Sequence, residues 1–337
     1  MVRKVTLDDV ARLSGVSRSA ASRALNDRPG VRSDVRERVN RIADHLGFRP
    51  NRAAKNLACG RSSVIGLVIP SEGLHVDPYG AAMTHAVGRA AAEVDLGMML
   101  HVASDEPGAT VHHILRDGLI DGLLISSVAV GSWVDGLFDA ALPTVLLGTH
   151  PSRDDVLSVD VENTESSAGA VTHLFDQGCA RVGCISGPLE RADARARVRG
   201  YRLAHERAGR VVEESLIASG DFTRRSGAAA TDQLFDAGVD GIFAANDEMA
   251  IGAIWSATRA GRRVPDDLLV VGFDGTSIDE LIEPTLTTVV QPFEPLARTA
   301  VELLLALVED DTDHADPASV SLPPELVLGG SSFRARR

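Results

Sequence analysis

Two groups of residues in this chain have types and spacing that could do chemistry. The first lies in GVSRSAASRALNDRPG, residues 15 to 30. Read as a helix that Ser17 caps, this stretch carries Ser17, Arg18, Ser19, Ser22 and Arg23 on its outer face near the N-terminal end. Ala20, Ala21, Ala24 and Leu25 fall inward. Hydroxyls and guanidinium forks so arranged are hydrogen-bond donors, and the helix N-terminus adds a field that favours phosphate. The second group is dispersed. Arg197, Asn246 and Asp274 each stand at the end of an apolar strand or the start of a helix. A donor fork, an amide and a carboxylate can hold a small polar molecule in a cleft by directed hydrogen bonds. Plainer roles stay open: Asn246 and Asp247 can cap the helix from 247, and Arg197 can pair with a nearby acid.

Catalytic and metal chemistry finds no comparable pattern. Ser186 in CISGP lacks the flanks of a nucleophile elbow, and there is no P-loop or GxGxxG. His101, His112 and His113 do not combine with any Cys or Asp cluster at metal-ligand spacing. The three cysteines, Cys59, Cys179 and Cys184, are too few and too scattered for a disulfide framework, and Cys179 and Cys184 read as small core residues. No apolar run reaches bilayer length, and MVRKVTLDDV has no apolar h-region behind its basic residues. A cytoplasmic protein with no cofactor, no metal and no membrane contact is expected.

The elements that must position these residues differ along the chain. The formal charge is −13, yet residues 1 to 61 carry 14 basic against 6 acidic side chains and the remainder 20 against 41. A basic head on an acidic body is the footprint of a polyanion-binding module on a soluble core. In the head, Thr6 caps a first helix with Leu7, Val10, Ala11 and Leu13 as its apolar stripe. SGV makes a tight turn, Ser17 caps the second helix, and a third runs from Ser33 to Leu46 until GFRPN stops it. Helix, glycine turn and donor-bearing helix describe a helix-turn-helix.

Beyond Arg61, apolar runs of strand length alternate with helices. The runs are VIGLVIP (64–70), MMLHVA (98–103), GLLISS (122–127) and PTVLLG (143–148), then RVGCIS (181–186), GIFAAN (241–246) and LLVVGF (268–273). Helical patterns fall at 79–95, 162–177, 192–208, 223–237 and 247–260. Two such series predict two α/β lobes with parallel sheets covered on both faces, and a ligand at the carboxyl ends of the strands.

VTLDDVARLSGVSRSAASRALND, followed by VRERVNRIADHLGFRPNRAAKNLACGRSSVIGLVIP, resembles the lactose-repressor (LacI/GalR) family of bacterial transcription regulators. The likeness continues through GCISGP (183–188), RVRGY (197–201), AANDEMAIGA (244–253), VVGFDG (270–275) and LTTVVQPFEPLA (286–297) to the C-terminus. It implies a helix-turn-helix head over 1–48 and a hinge helix with linker over 49–61. It also implies a periplasmic-binding-protein-like effector and dimerisation domain over 62–330, followed by a tail over 331–337. Lobe one would take about 62–160 and 291–319, and lobe two about 161–290 and 320–330.

The resemblance implies that Ser17, Arg18, Ser19, Ser22, Arg23 and Asn26 face operator DNA, with Thr6 and Leu7 beside them. Arg18 and Ser19 would choose bases, and Arg23 would read guanine. Asn51, Ala54 and Leu57 match minor-groove positions, Leu57 as the wedge that kinks the duplex. In the body, Arg197, Asn246 and Asp274 match positions that hold ligand hydroxyls, and Phe222 matches a stacking aromatic. Tyr79, Ser126, Gln291, Phe293 and Asp160 match further contacts. Three departures stand out: Ala20 and Ala21 replace part of the usual TVSR, Gly275 stands where many members carry aspartate, and Gly329 stands where arginine is usual.

The expected protein is a non-enzymatic transcriptional regulator, most often a repressor in this family. It would bind a near-palindromic double-stranded operator as a homodimer, since no heptad pattern follows Leu326–Gly329. A small polar effector, with a sugar favoured, would close the lobes and separate the hinge helices. Two rivals share the body's fold. A transport-type binding protein predicts a secretory signal and no basic head, and a sugar- or nucleoside-acting enzyme requires an acid–base pair or a metal set in the cleft.

Overall fold

A computed structural model of the chain describes residues 5–48, 61–69, 78–102, 118–126, 135–276, 282–309 and 319–333. It divides into two units, Met1–Ser62 and Ser63–Arg337.

The head is three helices: α1 Leu7–Ser14, α2 Arg18–Leu25 and α3 Ser33–His45. A reciprocal cap starts α1, with the Thr6 hydroxyl accepting from the Asp9 N–H and the Asp9 carboxylate accepting from the Thr6 N–H. Gly15 ends the helix at φ +66, where the left-handed backbone turns the chain toward α2 at no steric cost. Ser17 caps α2 by accepting from the Ala20 N–H at 3.1 Å. Val10, Ala11, Ala21, Ala24, Val39 and Ala43 form the shared core. Alanines on α2 let it lie close to its neighbours. The expected stripe on α1 needs one correction: Leu13 is 51% exposed and Ser14 is buried. Residues 7, 10, 11 and 14 share one face at helical spacing, and 13 falls off it.

The body holds two six-stranded sheets built on the same plan. The first has the order β2-β1-β3-β4-β5-β11, and the second β7-β6-β8-β9-β10-β12. In the first, β1 is Val64–Ile69, β2 Gly97–Val102, β3 Gly122–Ser126, β4 Thr144–Leu147, β5 Ser158–Val161 and β11 Val320–Leu322. In the second, β6 is Val182–Ser186, β7 Ile217–Ser219, β8 Gly241–Ala244, β9 Leu269–Asp274, β10 Thr287–Val290 and β12 Glu325–Val327. All neighbours are parallel except β10 and β12. The described helices are α4 Pro78–Glu93, α5 Asp135–Phe138, α6 Asn163–Asp176, α7 Ala192–Arg207, α8 Arg224–Asp236, α9 Asp247–Arg259 and α10 Phe293–Glu309.

Strand β9 shows why the runs are continuously apolar. Leu269, Val271 and Phe273 join a core shared with α6 and α7, while Val270, on the alternate side, and Leu268, just before the strand, join one shared with α8 and α9. Cys179 and Cys184 are buried in the first of these cores, and burial pushes the Cys184 thiol up to about 12. Such a thiol is an apolar filler.

The final crossing between lobes lies later than the sequence suggests. Val320 aligns with Val159, Ser321 with Asp160 and Leu322 with Val161, so 320–322 belongs to the first lobe. The second lobe resumes at β12, whose Leu326 aligns with Val289. Parallel pairing with the edge of β5 holds the returning chain for three more residues.

Candidate functional site

In the head, Ser17, Arg18, Ser19 and Arg23 are all exposed, while Ser22 and Asn26 are half-buried. Arg23 Nη2 donates to the Ser19 hydroxyl at 2.8 Å, one helical turn back. This holds the guanidinium along the outer face of α2. Arg18 lies 3.6 Å from Asp8, a loose pair with both side chains mostly in solvent. Asn26 closes the helix, its amide donating to the Ser22 carbonyl at 2.8 Å. Thr6 is exposed and Leu7 half-buried at the start of α1. The predicted hinge positions Asn51, Ala54 and Leu57 lie outside the described residues.

In the body, the chemistry gathers at the carboxyl ends of both sheets. The centre is Arg197 on α7, buried at 4% exposure. Its Nε donates to Asn163 Oδ1 at 3.0 Å, and its Nη1 donates to the Ala245 carbonyl at 2.6 Å and to Asp274 Oδ1 at 3.2 Å. The guanidinium sits 3.8 Å from the centroid of the Phe273 ring. Gln291 Nε2 donates to the same Asp274 oxygen at 2.8 Å. Asn163 Nδ2 donates to Asp160 Oδ1 at 3.1 Å, and the Thr149 hydroxyl donates to Asp160 Oδ2 at 2.7 Å. One hydrogen-bonded chain therefore runs from Thr149 and Asp160 in the first lobe through Asn163, Arg197 and Asp274 in the second to Gln291 in a crossing segment. Burial raises the Asp160 carboxyl above its ordinary range, against the pull of the Thr149 hydroxyl.

Other predicted residues frame this centre. Tyr79 and Phe293 meet with ring centroids 5.6 Å apart. Tyr79, Thr149, Asp160, Asp193, Arg197 and Gln291 line a common cleft. Burial, then the Asp160 and Asp274 carboxylates, raise the Tyr79 phenol well above its ordinary range, so it stays a neutral donor. Asn246 caps α9, accepting from the Met249 N–H at 2.9 Å, while its amide donates to the Phe222 carbonyl at 3.1 Å. Phe222 holds φ +66 and packs its ring over Gly187, where a Cβ would collide with it. Ser126 is buried at the carboxyl end of β3. Asp247 does not share the capping: its carboxylate accepts from the Gly275 N–H at 2.7 Å and the Thr288 hydroxyl at 2.5 Å. It ties the exit of β9 to β10.

Arg197 and Asp274 are thus partners first. Among the described residues, Nη2 is the guanidinium atom that no protein acceptor engages. Sequence reasoning missed Thr149, Asn163, Asp193 and the Phe273 ring beneath Arg197. Only the fold brings these four together; no local spacing marks them.

Comparison with known proteins agrees with both halves. Residues 6–51 match the bacterial regulatory proteins of the lacI family, and residues 171–332 match the periplasmic binding protein-like domain. The HTH-type transcriptional regulator CelR of Thermobifida fusca is 33% identical, across 97% of this chain and 98% of its own. Catabolite control protein A of Priestia megaterium is 32% identical, across 96% and 97%. Among solved structures, a lac repressor dimer bound to operator and the anti-inducer ONPF superposes with a TM-score of 0.83 at 28% identity, covering 98% of this chain and all 100% of that one. The transcriptional regulator CelR–cellobiose complex gives 0.76 at 31% identity, covering 97% and 100%. With the donor-bearing helix in the head and the twin sheets in the body, this likeness along the whole length makes the chain a member of the LacI family of bacterial regulatory proteins, a DNA-binding transcriptional regulator.

Proposed function

We propose that the protein is a repressor that binds a near-palindromic operator as a homodimer in the cytoplasm and responds to a small polar effector, a sugar, held between its lobes. The observation that carries this reading is the buried Arg197–Asp274 pair at the meeting of both sheets, in a chain whose head presents Arg18, Ser19 and Arg23 outward. A lac repressor dimer has been seen on its operator and CelR with cellobiose, and both superpose on nearly all of this chain. Thr6, Leu7, Ser17, Ser22 and Asn26 support the base-reading face. Asn51, Ala54 and Leu57 would enter the minor groove.

In the cleft, Arg197, Asn246, Asp274 and Gln291 hold ligand hydroxyls. Tyr79, Phe222 and Phe293 supply aromatic faces, and Ser126 and Asp160 complete the rim. The Arg197 guanidinium and the Asp274 carboxylate face each other there as an ion pair. Effector binding draws the lobes together through the Thr149-to-Gln291 chain and alters how two hinges meet. Ligand and operator then weaken each other, typically by about 1–3 kcal/mol.

The test is a titration of full-length protein with palindromic and bulk DNA fragments at moderate salt, with and without a panel of sugars. Preference for a palindrome, relieved by one sugar, is expected. Equal affinity for all fragments, whatever is added, refutes the reading.

A further inference from the structure

The first strand-to-helix turn of the second lobe runs from β6 into α7, at the point where the strand order reverses between β6 and β8. Doubly wound sheets seat phosphate at such a turn, because the helix N-terminus offers unpaired N–H groups and a positive field. Here that seat is taken by the chain itself. Asp193, in the first turn of α7, accepts from the Ala194 N–H at 2.8 Å, from Arg191 Nε at 3.2 Å and from Arg191 Nη2 at 2.8 Å. Burial works against its charge, but the field and hydrogen bonds of Arg191, with the field of Arg197 behind them, hold the carboxyl far below its ordinary range.

Arg191 and Arg197 are each matched by a carboxylate, while Arg195 in the same turn of α7 donates to the Leu189 and Pro151 carbonyls. Arg191 pairs with Asp193 and lies 4.9 Å from the Phe222 ring centroid. Arg197 pairs with Asp274 and is further held by Asn163 and Ala245. Asp160 adds another acidic group to the same lining. An incoming phosphate dianion would find the Asp193 carboxylate already in its seat, with Arg191 turned onto it. A polyhydroxyl ligand fits this lining: carboxylates accept from hydroxyls, and the guanidinium and the Tyr79 phenol donate to them.

We propose that Asp193 fixes the ligand class of this cleft, admitting an uncharged polyhydroxyl molecule and excluding its phosphorylated counterpart. The proposal rests on the reading of the cleft as the effector site.

Full-length wild type, Asp193→Asn and Asp193→Ser are titrated calorimetrically with inorganic phosphate and with glucose 6-phosphate, and their unfolding midpoints are compared. The wild type should show no saturable binding of either probe at millimolar concentration. At least one folded variant should bind inorganic phosphate about tenfold or more tightly than the wild type, because Arg191 and the helix N-terminus then face the cleft without their own carboxylate. Saturable binding of either probe by the wild type overturns the proposal. So does indifference to phosphate in every variant that folds. The serine variant, smaller and neutral, carries the comparison if the asparagine variant unfolds. Operator titration of the same samples is read separately, so a failure of the regulator reading leaves its own signature: no palindrome preference, whatever the anion result.

Discussion

At the scale of single residues, the sequence named most of the cleft's polar groups but not their allegiances. Arg197 and Asp274 could be picked out by type and position, yet their mutual pairing depends on α7 and β9 meeting across 77 residues of chain. That pairing decides how the site is probed. Asp274→Ala would leave the Arg197 guanidinium buried without its counter-charge, a defect that costs about 3–5 kcal/mol. Loss of response would then be confused with loss of fold. Asp274→Asn keeps an oxygen for Arg197 and Gln291. It should preserve operator affinity while weakening the sugar response at least about tenfold. An undiminished response in the same titration removes Asp274 from the site.

On the head, Arg23 is exposed and its one described side-chain bond is to Ser19, so Arg23→Ala should leave the melting curve unchanged. Operator preference should fall by about 1–3 kcal/mol, the discrimination of one bidentate guanine contact. Competition of operator against bulk DNA measures this, and an unchanged ratio refutes the guanine-reading role.

At the scale of elements, the long central strands were legible and the short lateral ones were not. Runs such as VIGLVI and LLVVGF are packed on both faces and so carry no polar residue to confuse the reading. Strands β7, β11 and β12 have three residues each, and β5 reads SVDV with a carboxylate in its middle. Their strand character comes from the neighbour they pair with, not from their own composition. Glycines mark another property that pattern alone hides. Gly200, in the middle of α7, lies so close to α6 that a Cβ would collide with the Thr164 carbonyl and the Ser167 side chain. Alanine is the better helix former by about 1 kcal/mol, so on an exposed face Gly200→Ala would stabilise. Here overpacking, at about 1–3 kcal/mol, opposes and should exceed that gain. The variant should melt several degrees below wild type. A rise in melting temperature would mean that α6 and α7 are not in this close contact.

At the scale of the whole molecule, the charge is divided between two units that do different work. The head holds a surplus of basic residues and the body more than twice as many acids as bases. The first has the net charge to attract phosphates, and the net negative charge of the second repels them. Each phosphate that the head neutralises releases counterions, so the logarithm of the operator affinity should fall linearly with the logarithm of salt concentration, by about 0.9 per contact. Two heads making roughly six to ten contacts would lose about 10³–10⁵ in affinity between about 50 and 200 mM salt. The cleft is different: a neutral sugar displaces no ions, and its affinity should be nearly flat over the same range. Measuring both slopes on one preparation separates the two jobs. If sugar binding falls with salt as steeply as operator binding, its ligand contacts are ionic, and the division of labour between a basic reader and an acidic sensor does not hold.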